Sequence, residues 1–133
     1  MITGGCLCGG VRYAIHRAAD DIQICHCQRC RKAQGGPLAA NLPVAAADFE
    51  LLDGAELLRD YESTPGKHRL FCRVCGSPII SRRDASPDAV RVRAGTLDDD
   101  PGVRPASQAF VSEAAPWWPI ASDLPAYAGR RPK

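Results

Sequence analysis

The stretch CHCQRC, residues 25–30, places three cysteines within six positions: Cys25, Cys27 and Cys30. Thiols at such short spacing are what a tight loop presents to one metal ion, and a tetrahedral metal takes four ligands. Four further cysteines flank the stretch, Cys6 and Cys8 as C-x-C, and Cys72 and Cys75 as C-x-x-C. Seven is an odd count, which leaves a disulfide framework incomplete. Metal ligation explains the spacing better, and seven thiolates divide as four plus three. The pairs Cys6/Cys8 and Cys72/Cys75 need each other to close a four-sulfur structural site. The triplet Cys25/Cys27/Cys30 then holds a second metal with its fourth position open to a substrate thiol, or to water in its absence. The spacing thus predicts two zinc ions per chain. An iron–sulfur cluster also accepts cysteines, but the C-x-C pairs and the lack of further cysteines favour zinc.

His26 sits between two ligands of the triplet. In an extended knuckle its side chain points away from the metal, so it reads as a support or substrate contact. Two alternatives stay open: His26 as the fourth ligand, or a second structural zinc completed by another residue. His16 and His68 read as surface strand residues. Zinc with an open place lowers the pKa of a thiol brought to it and polarises carbonyl oxygens. Both roles suit making or breaking a carbon–sulfur bond.

The chain has 133 residues, 45% hydrophobic and 24% charged, which fits a single domain over 1–133 with a modest core. No apolar run approaches the length that crosses a bilayer. The start, MITGGCLCGGVRY, shows neither a basic n-region nor an apolar h-region, so no signal peptide and a cytoplasmic location are expected. Seven thiolates with two dications would move the formal charge of +2 to about −1. Arg29, Arg31, Lys32, Arg69 and Arg73 then read as offsetting thiolate charge, and neither nucleic acid nor a membrane is expected as a partner. Nothing in the sequence indicates an oligomeric state.

Glycine and proline, 12 and 11 in number, are spread throughout and favour short strands and turns. Val11, Tyr13 and Ile15 alternate with polar or small residues as a strand does, and so do Val90 and Val92. FELL (49–52), LFC (70–72), PII (78–80) and AFV (109–111) also predict strands. The Pro-rich tail from Ala115 to Lys133 is expected to wrap the surface with Trp117 and Trp118 as anchors. The fold class predicted is mainly β, loop-rich and stapled by zinc.

Five blocks add to this reading. GGCLCGGVRY (4–13), CHCQRCRKAQGGP (25–37), FCRVCGSPI (71–79), AGTLDD (94–99) and FVSEAAPWWPIASDLPAY (110–127) resemble, in order, the glutathione-dependent formaldehyde-activating enzymes and their relatives, which include centromere protein V. The resemblance implies a β-tent fold, a structural zinc on Cys6, Cys8, Cys72 and Cys75, and a second zinc on Cys25, Cys27 and Cys30 to which the family's catalysis is attributed. It implies carbon–sulfur lyase chemistry, the named example being reversible addition of glutathione to formaldehyde to give S-hydroxymethylglutathione. Arg31 and Lys32 are placed to meet glutathione carboxylates or to balance charge. Gly35, Gly36 and Pro37 shape the loop beside the site, and Gly76, Ser77 and Pro78 make the turn after the second knuckle. The tail departs from the family at Gln108 and Ala109, where many members read His-Ile, and at Ala114, where a Lys often precedes Ala-Pro-Trp. The alternative function is a non-catalytic zinc-binding module for a protein or small ligand.

Overall fold

A computed structural model describes residues 1–132, so Lys133, the end of the expected domain and tail, lies outside the described residues. The strands in chain order are β1 (Ile2–Gly5), β2 (Arg12–Ile15), β3 (Ile22–Cys25), β4 (Ala39–Ala45), β5 (Phe49–Asp53), β6 (Leu58–Thr64), β7 (Lys67–Cys72), β8 (Pro78–Arg83), β9 (Ala89–Arg93) and β10 (Pro105–Ala109). One α-helix, α1 (Gln28–Gln34), follows β3. The strands form a three-stranded sheet, β1-β2-β5, and a seven-stranded sheet, β10-β3-β4-β9-β8-β7-β6. Neighbours pair antiparallel throughout, except that β10 runs parallel to β3.

The alternation in the sequence accounts for the core. Val11, Tyr13 and Ile15 are fully buried in the small sheet, where the Tyr13 ring packs 5.2 Å from that of Phe49. From the large sheet Leu42 lies opposite Val92, Val44 opposite Val90, and Ile80 opposite Val92. These side chains form one apolar cluster with those of the small sheet. Because successive strand residues point to opposite faces, the same register assembles a polar second face. There Asn41 pairs with Arg93, Ser81 with Arg91, and Lys67 with Arg83. The mainly β architecture on one core is the β-tent class expected from the sequence. Among the described residues no helix is long and apolar enough to cross a membrane.

Three expectations change. The extended knuckle after Cys25 is in fact a short one, because Gln28–Gln34 winds into α1. The AFV strand ends at Ala109: its neighbour β3 stops at Cys25, so the ladder has no further partner. Phe110 turns into the left-handed region (φ 56), and Val111–Glu113 forms a 3-10 turn hydrogen-bonded to the tail. The tail does run over the body, bridged in parallel from Ala126 to Gln108. Trp117 and Trp118 do not anchor it, however, being 66% and 42% exposed and packed edge-on against each other. The buried contact in that segment is Ala115.

The turn after β5 presses its backbone against the first cysteine knuckle. Gly54 has φ +86, and a Cβ there would lie 2.2 Å from the Gly10 carbonyl oxygen and 2.8 Å from Val11 Cα. Gly54→Ala therefore combines left-handed strain with a backbone collision. It is expected to lower stability by about 1–3 kcal/mol or more, read by denaturant titration. An unchanged midpoint would contradict this packing.

Candidate metal centres

The first cysteine cluster joins two turns remote in sequence. After β1 the chain folds back so that Cys6 N–H donates to the Val11 carbonyl (3.1 Å) and Val11 N–H donates to Cys6 Sγ (3.2 Å). At the end of β7, Gly76 N–H donates to the Cys72 carbonyl (2.8 Å), with Gly76 at φ +78. Ser77 ties the turns together: its hydroxyl accepts from Leu7 N–H (2.9 Å) and lies 3.3 Å from Cys75 Sγ. The Ser77 hydroxyl, then its backbone N–H, hold the Cys75 thiol down to about 5. The sulfurs of Cys6, Cys8, Cys72 and Cys75 all lie within 4.8 Å of one another, with 3.5 Å between Cys6 and Cys8 and 3.8 Å between Cys8 and Cys72. Zinc–sulfur bonds of about 2.3 Å make a tetrahedron with edges of about 3.8 Å. The cluster fits a closed four-sulfur site.

The second cluster is local. β3 delivers Cys25 and the chain turns through His26 into α1, whose N-cap is Cys27 with its Sγ accepting from Cys30 N–H (3.3 Å). A ligating sulfur thus replaces the usual Ser or Asp cap and meets the positive end of the helix. Gly35, left-handed at φ 68, closes the helix by donating to the Arg31 carbonyl (2.8 Å). The sulfurs of Cys25, Cys27 and Cys30 converge within 4.8 Å, and no fourth His, Cys, Asp or Glu joins them among the described residues. All seven cysteines are free thiols.

His26 is 1% exposed and is not among the residues whose ligand atoms converge there. Gln108 Nε2 donates to the Ala121 carbonyl (2.8 Å), so its Oε1 accepts from His26 Nε2–H (2.9 Å). Nδ1 is then the unprotonated nitrogen, buried without a hydrogen-bond partner. Gln108, one of the departures from the resembling family, thus holds His26 from behind. Arg31 lies half-buried one residue past Cys30, its Nε without a partner, and Lys32 is exposed.

Two arginines complete the surroundings. Both terminal nitrogens of Arg69 reach Cys30 Sγ at 3.9 and 4.0 Å. Arg93, 3% exposed, donates to Asn41 Oδ1 and feels the charge of Cys30. Arg69 was expected only as one of several balancing charges, and Arg93 was not expected at all. The alternation of Arg93 with Val92 does place it off the core face, but nothing local says that the other face is enclosed. Hydrogen bonds from Cys25 and Cys27, then Arg69, hold the Cys30 thiol far below its ordinary range, and Cys25 is raised as the donor. Arg69 and Arg93 also line a cleft of about 180 Å³ with Ala33, Gln34, Tyr61 and Phe71.

Gln108→Leu leaves His26 Nε2 unpaired in a buried setting and removes the part-buried bond to the Ala121 carbonyl. The expected loss of stability is about 1–3 kcal/mol for the stranded imidazole N–H. Imidazole nitrogen NMR checks the assignment: His26 reads as the Nε2–H tautomer in the parent and loses that preference in the variant.

Residues 1–113 match the family described as glutathione-dependent formaldehyde-activating enzyme, a span that includes every cysteine. A crystal structure of a protein from Rhodobacter sphaeroides is similar at 26% identity and a TM-score of 0.63, over 77% of this chain and 97% of that one. The family blocks lie on the elements that carry both cysteine clusters, and the chain belongs to the glutathione-dependent formaldehyde-activating enzyme family.

Proposed function

We propose that the chain is a zinc-dependent enzyme of the carbon–sulfur lyase type that acts on a thiol adduct, glutathione-dependent formaldehyde activation being the nearest named reaction. The observation that supports it is the sulfur triplet of Cys25, Cys27 and Cys30 without a fourth protein ligand, beside a cleft and two arginines. In this reading Cys6, Cys8, Cys72 and Cys75 hold one zinc for structure, and Cys25, Cys27 and Cys30 hold a second for catalysis. Bound there, zinc supplies Lewis acidity that lowers the pKa of a thiol and polarises a carbonyl oxygen. In the addition direction the carbon–sulfur bond forms as the carbonyl π bond opens, and the thiol proton ends on the oxygen.

The chain's own groups set the conditions for that chemistry. Arg69 faces Cys30 and offsets thiolate charge there. In this reading Arg31, half-buried one residue past Cys30, meets an anionic part of the substrate. His26 is a positioning residue: locked to Gln108, it fixes the backbone between two ligands. The Gln108 departure therefore acts through His26 rather than at the cleft. Seven free thiols are consistent with a reducing cytoplasm as the working compartment.

Elemental analysis of reduced protein is expected to find two zinc ions per chain. Cys30→Ser alters a site made within one short segment, so it should stay folded, lose or loosen one zinc and stop binding thiols. Cys75→Ser opens the cluster that joins distant segments, where metal-binding free energy is also folding free energy. It should give insoluble protein, or lose several of the roughly 10–16 kcal/mol that structural zinc contributes in small peptides. Equal unfolding of both variants would make the second site structural and sink the enzyme reading.

Calorimetry of the zinc-loaded protein with glutathione is expected to show release of about one proton per thiol bound. The measured heat should vary with buffer ionisation enthalpy in proportion. Binding without proton release, or none at all, would contradict an open thiol position at the triplet.

A further inference from the structure

The polar face of the large sheet carries a group of cations that the chain does not neutralise. Cross-strand register sets Lys67 opposite Arg83, Arg69 opposite Ser81, Ser81 opposite Arg91, and Asn41 opposite Arg93. Gln23 pairs with Asn41, and Cys25, two residues further along β3, shares that face. The cations and the sulfur triplet therefore lie on one continuous surface. It is not open to solvent throughout: Lys67 is 7%, Arg93 3%, Asn41 5% and Ser81 0% exposed.

No acid meets this group. Among the described residues the ion pairs engage Arg12, His16, His68, Arg82, Arg104 and Arg131, and none of Lys67, Arg69, Arg83, Arg91 or Arg93. Asp60, Glu62 and Asp84 gather around His68, which alternates with Lys67 and Arg69 and so points to the other face. Lys67 Nζ donates to Ser81 Oγ at 3.3 Å, and the Nε atoms of Arg83 and Arg93 are buried without partners. Burial, then the charges of Arg83, Arg91, Arg69 and Arg93, push Lys67 down to about 7. Like charges directly opposed on a sheet destabilise it, and buried charges are normally paired. The Cys30 sulfur answers for Arg69, whose terminal nitrogens reach it, and its charge also acts on Arg93 and, last among its influences, on Arg83. Among the described residues Lys67, Arg83 and Arg91 have neither a carboxylate nor a sulfur in contact.

We propose that Lys67, Arg83 and Arg91 form a receptor for the acidic group, carboxylate or phosphate, of a thiol ligand whose sulfur lies at the Cys25/Cys27/Cys30 triplet. The assignment of the sulfur end rests on the function proposed above. Lys67 and Arg69 stand two positions apart on β7, a rise of about 7 Å, and Arg69 is itself 3.9 Å from Cys30 Sγ. The ligand thus carries its acid on an arm longer than that rise, which excludes short mercapto-acids from the best fit. Arg69 and Arg93 bridge the two ends.

Binding constants on the zinc-loaded protein test this with three thiols: glutathione, its diethyl ester and 2-mercaptoethanol. In the parent chain glutathione should bind at least about tenfold more tightly than the ester. In R83Q/R91Q, and separately in Lys67→Met, that ratio should fall towards unity while 2-mercaptoethanol binds as before. R83Q/R91Q removes unpaired charge and is expected to melt no lower than the parent, which separates lost binding from lost fold; Lys67→Met also removes the bond to Ser81 Oγ, so its ratio is read only at temperatures well below its own melting point. Acetate and inorganic phosphate as competitors distinguish the sources: the stronger competitor identifies the acid the receptor takes, and competition by neither overturns the proposal. A preference for glutathione over the ester that survives in R83Q/R91Q would also overturn it. If no thiol bound the parent, yet acetate or phosphate still shifted the Nε–H signals of Arg83 and Arg91, the thiol-site reading would fall and the receptor would stand.

Discussion

The sulfurs of Cys8 and Cys72 lie 3.8 Å apart although 64 positions separate the residues in sequence. Closing so long a loop has an entropic cost that a small core must offset. The closure therefore sets constraints on everything around it. It ties the small sheet to the large one, and Tyr13 and Ile15 share one apolar cluster with Leu42 and Val92. It fixes Ser77 between the two knuckles and leaves Gly54 no room for a side chain beside Gly10. Four soft donors at tetrahedral spacing are stable together only when a cation neutralises them. The geometry of this corner is that of a clip.

With the sheets held in that relation, the large sheet has two unlike faces. One is apolar and fills the core. The other is polar yet enclosed in part, with Asn41, Ser81, Lys67 and Arg93 nearly inaccessible. An enclosed cationic face is expensive to keep in a folded protein unless something compensates it. The lowered Cys30 thiol supplies part of that compensation. The arrangement lowers local stability in exchange for a strong field around Cys30, where Arg69 and Arg93 converge. Local conflict of this kind concentrates at functional sites, and here it coincides with the cysteines that lack a fourth ligand.

The triplet depends on the helix that follows it. Cys27 is at once a sulfur donor and the cap of α1, so the turn that starts the helix also sets the spacing of the cluster. Behind it, the bond from His26 to Gln108 spans 82 positions and binds the knuckle to β10 and the tail. The tail thus matters to the site through a buried hydrogen bond, and its two exposed tryptophans take no part in that contact.

Much was legible in the sequence because it is local. Cysteine spacing of one or two intervening residues, valines alternating with arginines, and dispersed glycine and proline act over a few residues, so the two metal-type clusters and the mainly β class could be read directly. The pairing of Cys6/Cys8 with Cys72/Cys75 was reached by ligand counting, since neither pair fills a tetrahedron alone. What needed the tertiary structure is what depends on burial and register. Trp117 and Trp118 look like anchors by residue type, but whether an aromatic is covered depends on which surface the chain passes. AFV has strand composition, yet β10 stops where β3 ceases to offer a partner. Arg93 and Lys67 look like ordinary exposed strand residues. Only the folded sheet encloses them beside the sulfurs, because a side chain's environment is set by neighbours distant in sequence, and those neighbours are chosen by cross-strand register.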